Sequence, residues 1–202
     1  YSEGPSVEHP QLVLLFGAVD LVPNKERFEE VRTLYPEAHI VTCSTAGEIL
    51  GTSVSEHSLA LTAIQFEKTS LQFSATDIAA PEESTAAGKR LADALPKEGL
   101  VHVMVFSDGL KVNGTDLVTG LNENLSTSVA VTGGLVGGGN EFQHTYCGLD
   151  EVPQEGKAIV IGFYGRDIHV RYGAVGGWDV FGPKRTITKA VKNVLFELDN
   201  QP

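Results

Sequence analysis

Apolar and polar positions alternate along the first third of the chain with two different periods. The stretch 12–16 is continuously apolar, which is typical of a strand covered on both faces. A helix is predicted between Pro23 and Tyr35-Pro36, and a second strand over 39–43. The apolar side chains of that helix fall at helical spacing: Phe28, Val31 and Leu34. The chain therefore begins with a predicted strand, helix and strand.

Period-two alternation follows in two stretches, 57–66 and 70–76, which flank Glu67-Lys68-Thr69. This pattern predicts an antiparallel hairpin. Pro81-Glu82-Glu83 then begins a second helix, because proline and acidic residues are favoured in a first helical turn. One face of this helix is apolar, at Ala87, Leu91 and Leu95.

The same order of elements recurs about ninety positions later. Phe106 follows Phe16 by the same number of residues as Val131 follows Val41. An internally duplicated α/β fold is predicted, with strand-helix-strand-hairpin units, mixed sheets and flanking helices. The second copy is predicted as a strand (101–106), a helix (about 114–125), a strand (129–132), a Gly-rich loop, a strand near 142–149, and a hairpin of 157–164 with 167–174.

The end of the chain departs from this plan. The stretches 186–190 and 194–198 fit paired strands around Lys192-Asn193, although 189–198 also fits a short helix. Trp178 fits either a plug between domains or one wall of a pocket. We predict a tail (1–10), a ligand-binding domain (11–176) and the start of a further domain (177–202), within a longer protein.

Composition excludes several classes of partner. The 202 residues carry a formal charge of −11, which disfavours nucleic acid and anionic membranes. The chain has no apolar run near the length that a bilayer requires, so membrane insertion is not expected. Cys43 and Cys147 form no CxxC pair and suit a reducing compartment, the cytoplasm.

The clearest chemical signal is the Gly-rich segment, defined here as residues 133–140. Its glycines can present backbone N–H groups to a carboxylate or phosphate, or they can simply allow a close approach of chain segments. Ser107 and Asp108 end the preceding strand. Asp108 can bind a ligand ammonium or cap a turn, and Asn113 can bind a ligand or cap the helix that follows.

Other candidates follow the strand at 39–43. Cys43 is expected to be a buried cysteine rather than a nucleophile, with Ser44 and Thr45 capping or binding a ligand. Glu48 is a possible second acid of the site, but a solvated turn residue is the preferred interpretation. The six histidines show no metal-binding spacing, and a haem-ligand role is considered only for His57 and His144.

The order of four motifs resembles the N-terminal half of the FIST sensory domain. These are Leu-Val-Leu-Leu-Phe (12–16), Cys-Ser-Thr-Ala-Gly-Glu (43–48), Val-Phe-Ser-Asp-Gly-Leu (105–110) and Val-Thr-Gly-Gly-Leu-Val-Gly (131–137). The usual small-Gly-Asp ending of the Gly-rich loop is replaced by Val136-Gly137-Gly138.

The resemblance implies a non-enzymatic sensory module of a signal-transduction protein, fused to or associated with an output domain. Its ligand would be a small molecule such as an amino acid. From the convergence of strand ends we predict a cleft formed by the loops at 43–48, 107–113 and 133–140, with these binding residues: Ser44, Thr45, Ser107, Asp108, Asn113, Gly133, Gly134 and Gly137. No cofactor is expected. The alternatives are a haem-binding nitric-oxide sensor, a thiol enzyme that uses Cys43, and a protein-interaction module.

Overall fold

The computed structural model describes residues 7–173, 176, 179–191 and 194–202. Contacts divide the chain into two units, Tyr1–Val170 and Arg171–Pro202, which are described separately. No helix in the described residues has the length and apolar character needed to cross a membrane.

The first unit contains three α-helices and ten strands among its described residues. In chain order they are β1 (Leu12–Ala18), α1 (Lys25–Leu34), β2 (His39–Thr45), β3 (Glu48–Leu50), β4 (Ser53–Ser55), β5 (Leu59–Ile64), β6 (Ser70–Asp77), α2 (Ser84–Ala94), β7 (Leu100–Ser107), α3 (Gly114–Asn124), β8 (Ala130–Leu135), β9 (Cys147–Leu149) and β10 (Lys157–Tyr164).

Two four-stranded mixed sheets form the centre of this unit. Sheet I has the order β5-β1-β2-β9, and sheet II has the order β6-β10-β7-β8. Each contains one parallel pair joined through a helix, β1 with β2 and β7 with β8, next to antiparallel neighbours. The α/β class with mixed sheets is confirmed, whereas the internal duplication stays a prediction.

The side chains of each central strand alternate between two apolar cores. In β1, Leu12 packs between the two sheets, and Val13 packs on the opposite face with Phe28 of α1. In β7, every second side chain likewise lies on one face: Val103 and Val105 pack against α2 and α3. The layers are therefore helix, sheet, sheet and helix pair, which explains the continuous apolar runs of these strands.

Local signals predicted the helices well. Asn24 caps α1, its Oδ1 accepting from the Arg27 amide at 3.0 Å, and the helix ends before Tyr35-Pro36 as expected. A short 3₁₀ turn over Pro81–Glu83 leads into α2, whose Ala87 and Leu91 are buried. Leu34 is exposed, so the buried face of α1 is shorter than the spacing indicated.

Both predicted hairpins are wrong. Strands β5 and β6 do not pair with each other, because β5 pairs with β1 in sheet I and β6 pairs with β10 in sheet II. Residues 167–173 form no strand, and β10 pairs with β6 and β7 instead. Alternation correctly identified β5 and β6 as half-buried strands, but it carries no information about their partners.

The second unit contains an antiparallel pair, β11 (Ile187–Val191) with β12 (Val194–Leu198). The paired-strand interpretation of the tail is therefore confirmed over the helical one. Arg185 and Asp199 form an ion pair at 2.9 Å beside it. Trp178 and Lys192-Asn193 lie outside the described residues, and the domain boundary at 176 stays a prediction.

Candidate functional site

The carboxyl ends of the two parallel pairs carry most of the polar residues singled out from the sequence. Strands β1 and β2 end together at Ala18 and Thr45, and β7 and β8 end together at Ser107 and Leu135. Ligand clefts in α/β proteins form at such ends, because the following loops diverge there.

Ser44 joins the end of β2 to the Gly-rich segment. Its Oγ donates to the Gly137 carbonyl at 2.6 Å and accepts from the Tyr146 amide at 2.9 Å. The Gly137 amide donates back to the Ser44 carbonyl at 3.0 Å. A Cβ at Gly137 would lie 2.9 Å from the Ala46 nitrogen, so the contact requires glycine. Ser44 is thus brought to the predicted cleft, with its hydroxyl already used.

Asp108 is buried and serves the backbone. Its Oδ1 accepts from the Leu110 amide at 2.7 Å and the Lys111 amide at 2.6 Å, and its Oδ2 accepts from the Gly156 amide at 2.8 Å. Of the two interpretations left open for Asp108, turn capping is therefore the one observed. Asn113 likewise caps α3, its Oδ1 accepting from the Asp116 amide at 3.1 Å.

The Gly-rich segment is not the loop that the sequence suggested. Gly133 and Gly134 continue strand β8 and pair in register with Val105 and Phe106. The Val136 amide donates to the Ser107 carbonyl at 2.8 Å, so this amide and that of Gly137 are both engaged within the protein. The Val136 and Gly137 amides are therefore not available to a bound anion, and the anion nest over 133–140 stays a prediction for the other amides of the segment.

Besides a cavity of about 270 Å³ that Ser107, Gly133 and Gly134 line at the end of sheet II, two cavities adjoin the predicted cleft. The inter-sheet cleft, about 230 Å³, is lined by Phe16 and Phe106 together with 43–46 and 133–137. The strand-end cleft, about 310 Å³, is lined by 18–20, 45–48, 56–57 and 138–141. Asp108 and Asn113 line neither of them. The structure thus brings the loops at 43–48 and 133–140 together, and leaves Asp108 to one side.

Four carboxylates border the strand-end cleft: Asp20, Glu48, Glu56 and Glu141. Glu48 is only 3% exposed, so the expectation of a solvated turn residue is wrong. Its Oε1 accepts from the Thr45 hydroxyl at 2.5 Å, and its Oε2 accepts from the Ser58 hydroxyl at 2.6 Å and the Ser58 amide at 3.1 Å. These bonds offset the cost of burying the carboxylate.

The two histidines considered for haem lie in different surroundings. His57 borders the strand-end cleft, with its Nδ1 3.3 Å from Asp20 Oδ2. His144 is exposed, stacks on Tyr146 and bonds Glu155 Oε1 through Nδ1 at 2.6 Å. Among the described residues, no group of three or more His, Cys, Asp and Glu side chains is arranged to hold a metal ion.

Both cysteines are free and buried, as expected for Cys43. Burial raises the pKa of the Cys43 thiol well above its ordinary value, and burial raises the pKa of Cys147 to about 12. Thiols in this state are poor nucleophiles, so the geometry gives the thiol-enzyme alternative no support.

The sequence interpretation missed Asp20, Glu56 and Glu141 as cleft residues. Asp20 had a usable signal, because it is the second residue after β1, at a carboxyl strand end. Glu56 and Glu141 had none, since their positions depend on how two irregular segments fold back on the sheet.

The sequence model of the FIST N domain matches residues 11–201, nearly the whole chain. The chain belongs to the FIST family. FIST domains are sensory domains of signalling proteins, which makes the strand-end cleft a candidate ligand site rather than a catalytic one. A comparison with curated proteins finds no match to this FIST N domain.

Proposed function

We propose that this FIST N domain recognises a small molecule that carries an amine, with amino acids as the leading class, in the strand-end cleft. One observation carries the proposal. Segments from both sheets converge there around a buried carboxylate, Glu48, whose rotamer is fixed by three hydrogen bonds. A fixed, preorganised group binds a ligand without an added ordering cost.

The charge of the cleft favours a cation. Four carboxylates and one histidine border it, and no lysine or arginine is among its lining residues. An ammonium about 4 Å from one carboxylate gains roughly 4 kcal/mol at the effective dielectric constant of a protein surface. Water and salt reduce this figure at the exposed rim, so Glu48 is expected to contribute most.

The test is a calorimetric titration of the whole chain with L-amino acids and with two derivatives of each, the methyl ester and the N-acetyl form. We expect the ester to bind and the N-acetyl form to lose binding, since only the latter lacks the ammonium. A ligand at one hundred times its Kd should also raise stability by about 2.7 kcal/mol.

A matched pair of variants locates the site. Asp20→Asn changes a residue at the rim of the cleft. Asp93→Asn changes a residue on α2, whose carboxylate accepts a hydrogen bond from Asn124 Nδ2 at 2.7 Å. Binding should weaken several-fold in Asp20→Asn and stay unchanged in Asp93→Asn. Equal binding by all three proteins, or tighter binding of N-acetyl forms, would count against an amine-recognising cleft.

A competing location is a larger cavity, about 820 Å³, which lies at the amino ends of β1 and β2 and is bordered by Gln11, His39 and Phe73. It has no buried carboxylate comparable to Glu48. If ligand binding is lost in Phe73→Ala but kept in Asp20→Asn, this groove is the site.

Haem is the second candidate ligand. One observation favours it, because a carboxylate on His57 Nδ1 would orient the other ring nitrogen, as outer partners do for metal-binding histidines. The rest of the cleft fits haem poorly, since its carboxylates would repel the propionates. A Soret band that disappears in His57→Ala and persists in His144→Ala would establish haem over an amine.

The signalling role requires an output domain, fused or associated, that responds to the occupied cleft. The composition argues against nucleic acid as that partner. The cytoplasm stays the proposed compartment. If no small molecule binds, an interaction module becomes the better interpretation.

A further inference from the structure

Cys43 and Cys147 face one another across two neighbouring strands. They are directly opposite in the antiparallel pairing of β2 with β9. Both side chains are fully buried and belong to the same apolar core between the sheets. Nothing in the proposed ligand recognition uses either thiol.

The hydrogen bonds of the neighbouring positions fix the geometry of this pair. The Ser44 amide donates to the Tyr146 carbonyl at 2.8 Å, and the Asp150 amide donates to the Ile40 carbonyl at 2.8 Å. Because antiparallel pairs alternate, Cys43 and Cys147 occupy the non-hydrogen-bonded type, in which opposite Cα atoms are about 4.5 Å apart.

That separation is within the range that a disulfide needs, about 4.4–6.8 Å between Cα atoms. Residues opposite one another also project from the same face of the sheet, so the two Cβ atoms lie side by side. A bridge can therefore form with little movement of the backbone.

One of the two thiols has a route to solvent. Cys43 lines the inter-sheet cleft, between Phe16 and the Gly-rich segment, and a cavity of about 230 Å³ admits a molecule such as hydrogen peroxide. Cys147 lies behind it, its Sγ directed to the Lys157 carbonyl at 3.3 Å. Cys43 is therefore the thiol that a peroxide can reach, although as a weak nucleophile it reacts slowly, and Cys147 is placed to resolve a sulfenic acid at Cys43.

We propose that Cys43 and Cys147 are a redox-sensitive pair, converted by a peroxide into a cross-strand disulfide that links β2 to β9. The Cys43 sulfur attacks the peroxide O–O bond and becomes a sulfenic acid, with release of one water molecule. Cys147 then attacks the Cys43 sulfur, the S–O bond breaks, and the hydroxide leaves with the Cys147 thiol proton as a second water, the Cys43 thiol proton having left with the first. Two thiols lose two electrons in total, and the peroxide gains them.

The bridge would act on the ligand site through Ser44. This residue follows Cys43 directly, and its hydroxyl contacts Gly137 and Tyr146. Fixing β2 against β9 at this position restrains the Gly-rich segment. The proposal does not depend on amine recognition, and its test needs no ligand.

The experiment treats the folded whole chain with hydrogen peroxide, then denatures it and alkylates the remaining thiols before intact-mass and non-reducing peptide analysis. We expect that neither cysteine is alkylated in most of the protein. The peptides that contain Cys43 and Cys147 should be linked by a disulfide, and dithiothreitol should separate them. In Cys147→Ser, dimedone should label Cys43 as a sulfenic acid. In Cys43→Ser, Cys147 should stay unlabelled, because it lies behind the cleft.

The slow step is expected to be the first, since burial keeps both groups protonated at neutral pH. Exchange of the Gly137 amide should slow about tenfold in the oxidised protein. Three results would overturn the proposal. They are disulfides that form only between two copies of the chain, oxidation of Cys43 to a sulfinic acid in the protein without substitutions, and two cysteines that are both still free to be alkylated when the peroxide-treated protein is denatured. Unchanged exchange at Gly137 would overturn its link to the ligand site.

Discussion

Replacing Asp108 with alanine separates a structural carboxylate from a ligand-binding one. Asp108 is 1% exposed and accepts from three backbone amides, those of Leu110, Lys111 and Gly156. The first two bonds close the turn after β7. The third ties that turn to the residue before β10.

The cost can be worked out bond by bond. The Gly156 bond is buried, so its loss leaves an amide without a partner and costs about 1–3 kcal/mol. The Leu110 and Lys111 amides are nearer to solvent, and each bond contributes about 0.5–1.5 kcal/mol. We therefore expect Asp108→Ala to lower the free energy of unfolding by about 4 kcal/mol, a large share of the 5–15 kcal/mol typical of a domain.

Chemical denaturation followed by far-ultraviolet circular dichroism measures this loss. Asp108→Asn should cost about half as much, because its oxygen can still accept from Leu110 and Lys111, while its NH₂ group faces the Gly156 amide. Asp93→Ala is the matched control, and it should change stability by less than about 0.5 kcal/mol since its single bond is exposed. Full stability of Asp108→Ala, together with lost ligand binding, would refute the capping role.

Three further perturbations test other parts of the site. Gly133→Ala should destabilise the protein by about 3 kcal/mol or more in the same assay, because φ is +139° and a Cβ would lie 1.8 Å from the Val105 carbonyl oxygen. Gly134→Ala, with no atom within 4 Å of its Cβ, should be close to neutral. Ser44→Ala should cost about 1–3 kcal/mol, since two partly buried backbone partners lose their bonds. Burial lowers the pKa of His102, so the unfolded chain binds a proton that the folded chain does not; stability should fall as the pH drops below about 6.5, and this slope should disappear in His102→Gln. Equal stability of the two glycine variants, or an unchanged slope in His102→Gln, would contradict these assignments.

Local features of the fold could be predicted from the sequence because their causes are local. Asn24 and Asn113 cap the helices that follow them, and a proline begins the turn into α2. The continuous apolar run at 12–16 marked a strand covered on both faces, and sheet I indeed lies between α1 and sheet II.

Pairing could not be predicted, because it depends on segments that are distant in the sequence. Strands β5 and β6 are five residues apart and have the pattern of a hairpin, but they lie in different sheets. The neighbour of β6 is β10, about ninety residues later, and no turn chemistry encodes that choice. The burial of Glu48 was hidden because Ser58, which holds it, lies ten residues later, directly before β5 and beyond the β3–β4 hairpin.

The two acids that follow the first strands of the parallel pairs show why chemistry at a strand end does not by itself identify a ligand site. Asp108 follows β7 and Asp20 follows β1, so both satisfy the rule that polar residues at carboxyl strand ends bind ligands. Their surroundings differ: three amides occupy the Asp108 carboxylate, whereas the Asp20 side chain is 55% exposed, borders a cavity and contacts His57 at 3.3 Å. Glu48 also accepts three hydrogen bonds, but it borders the strand-end cleft as Asp20 does, so a ligand in that cleft can reach Asp20 and Glu48 and not Asp108. The ligand is therefore expected at the end of sheet I, and the end of sheet II is expected to hold the framework in place.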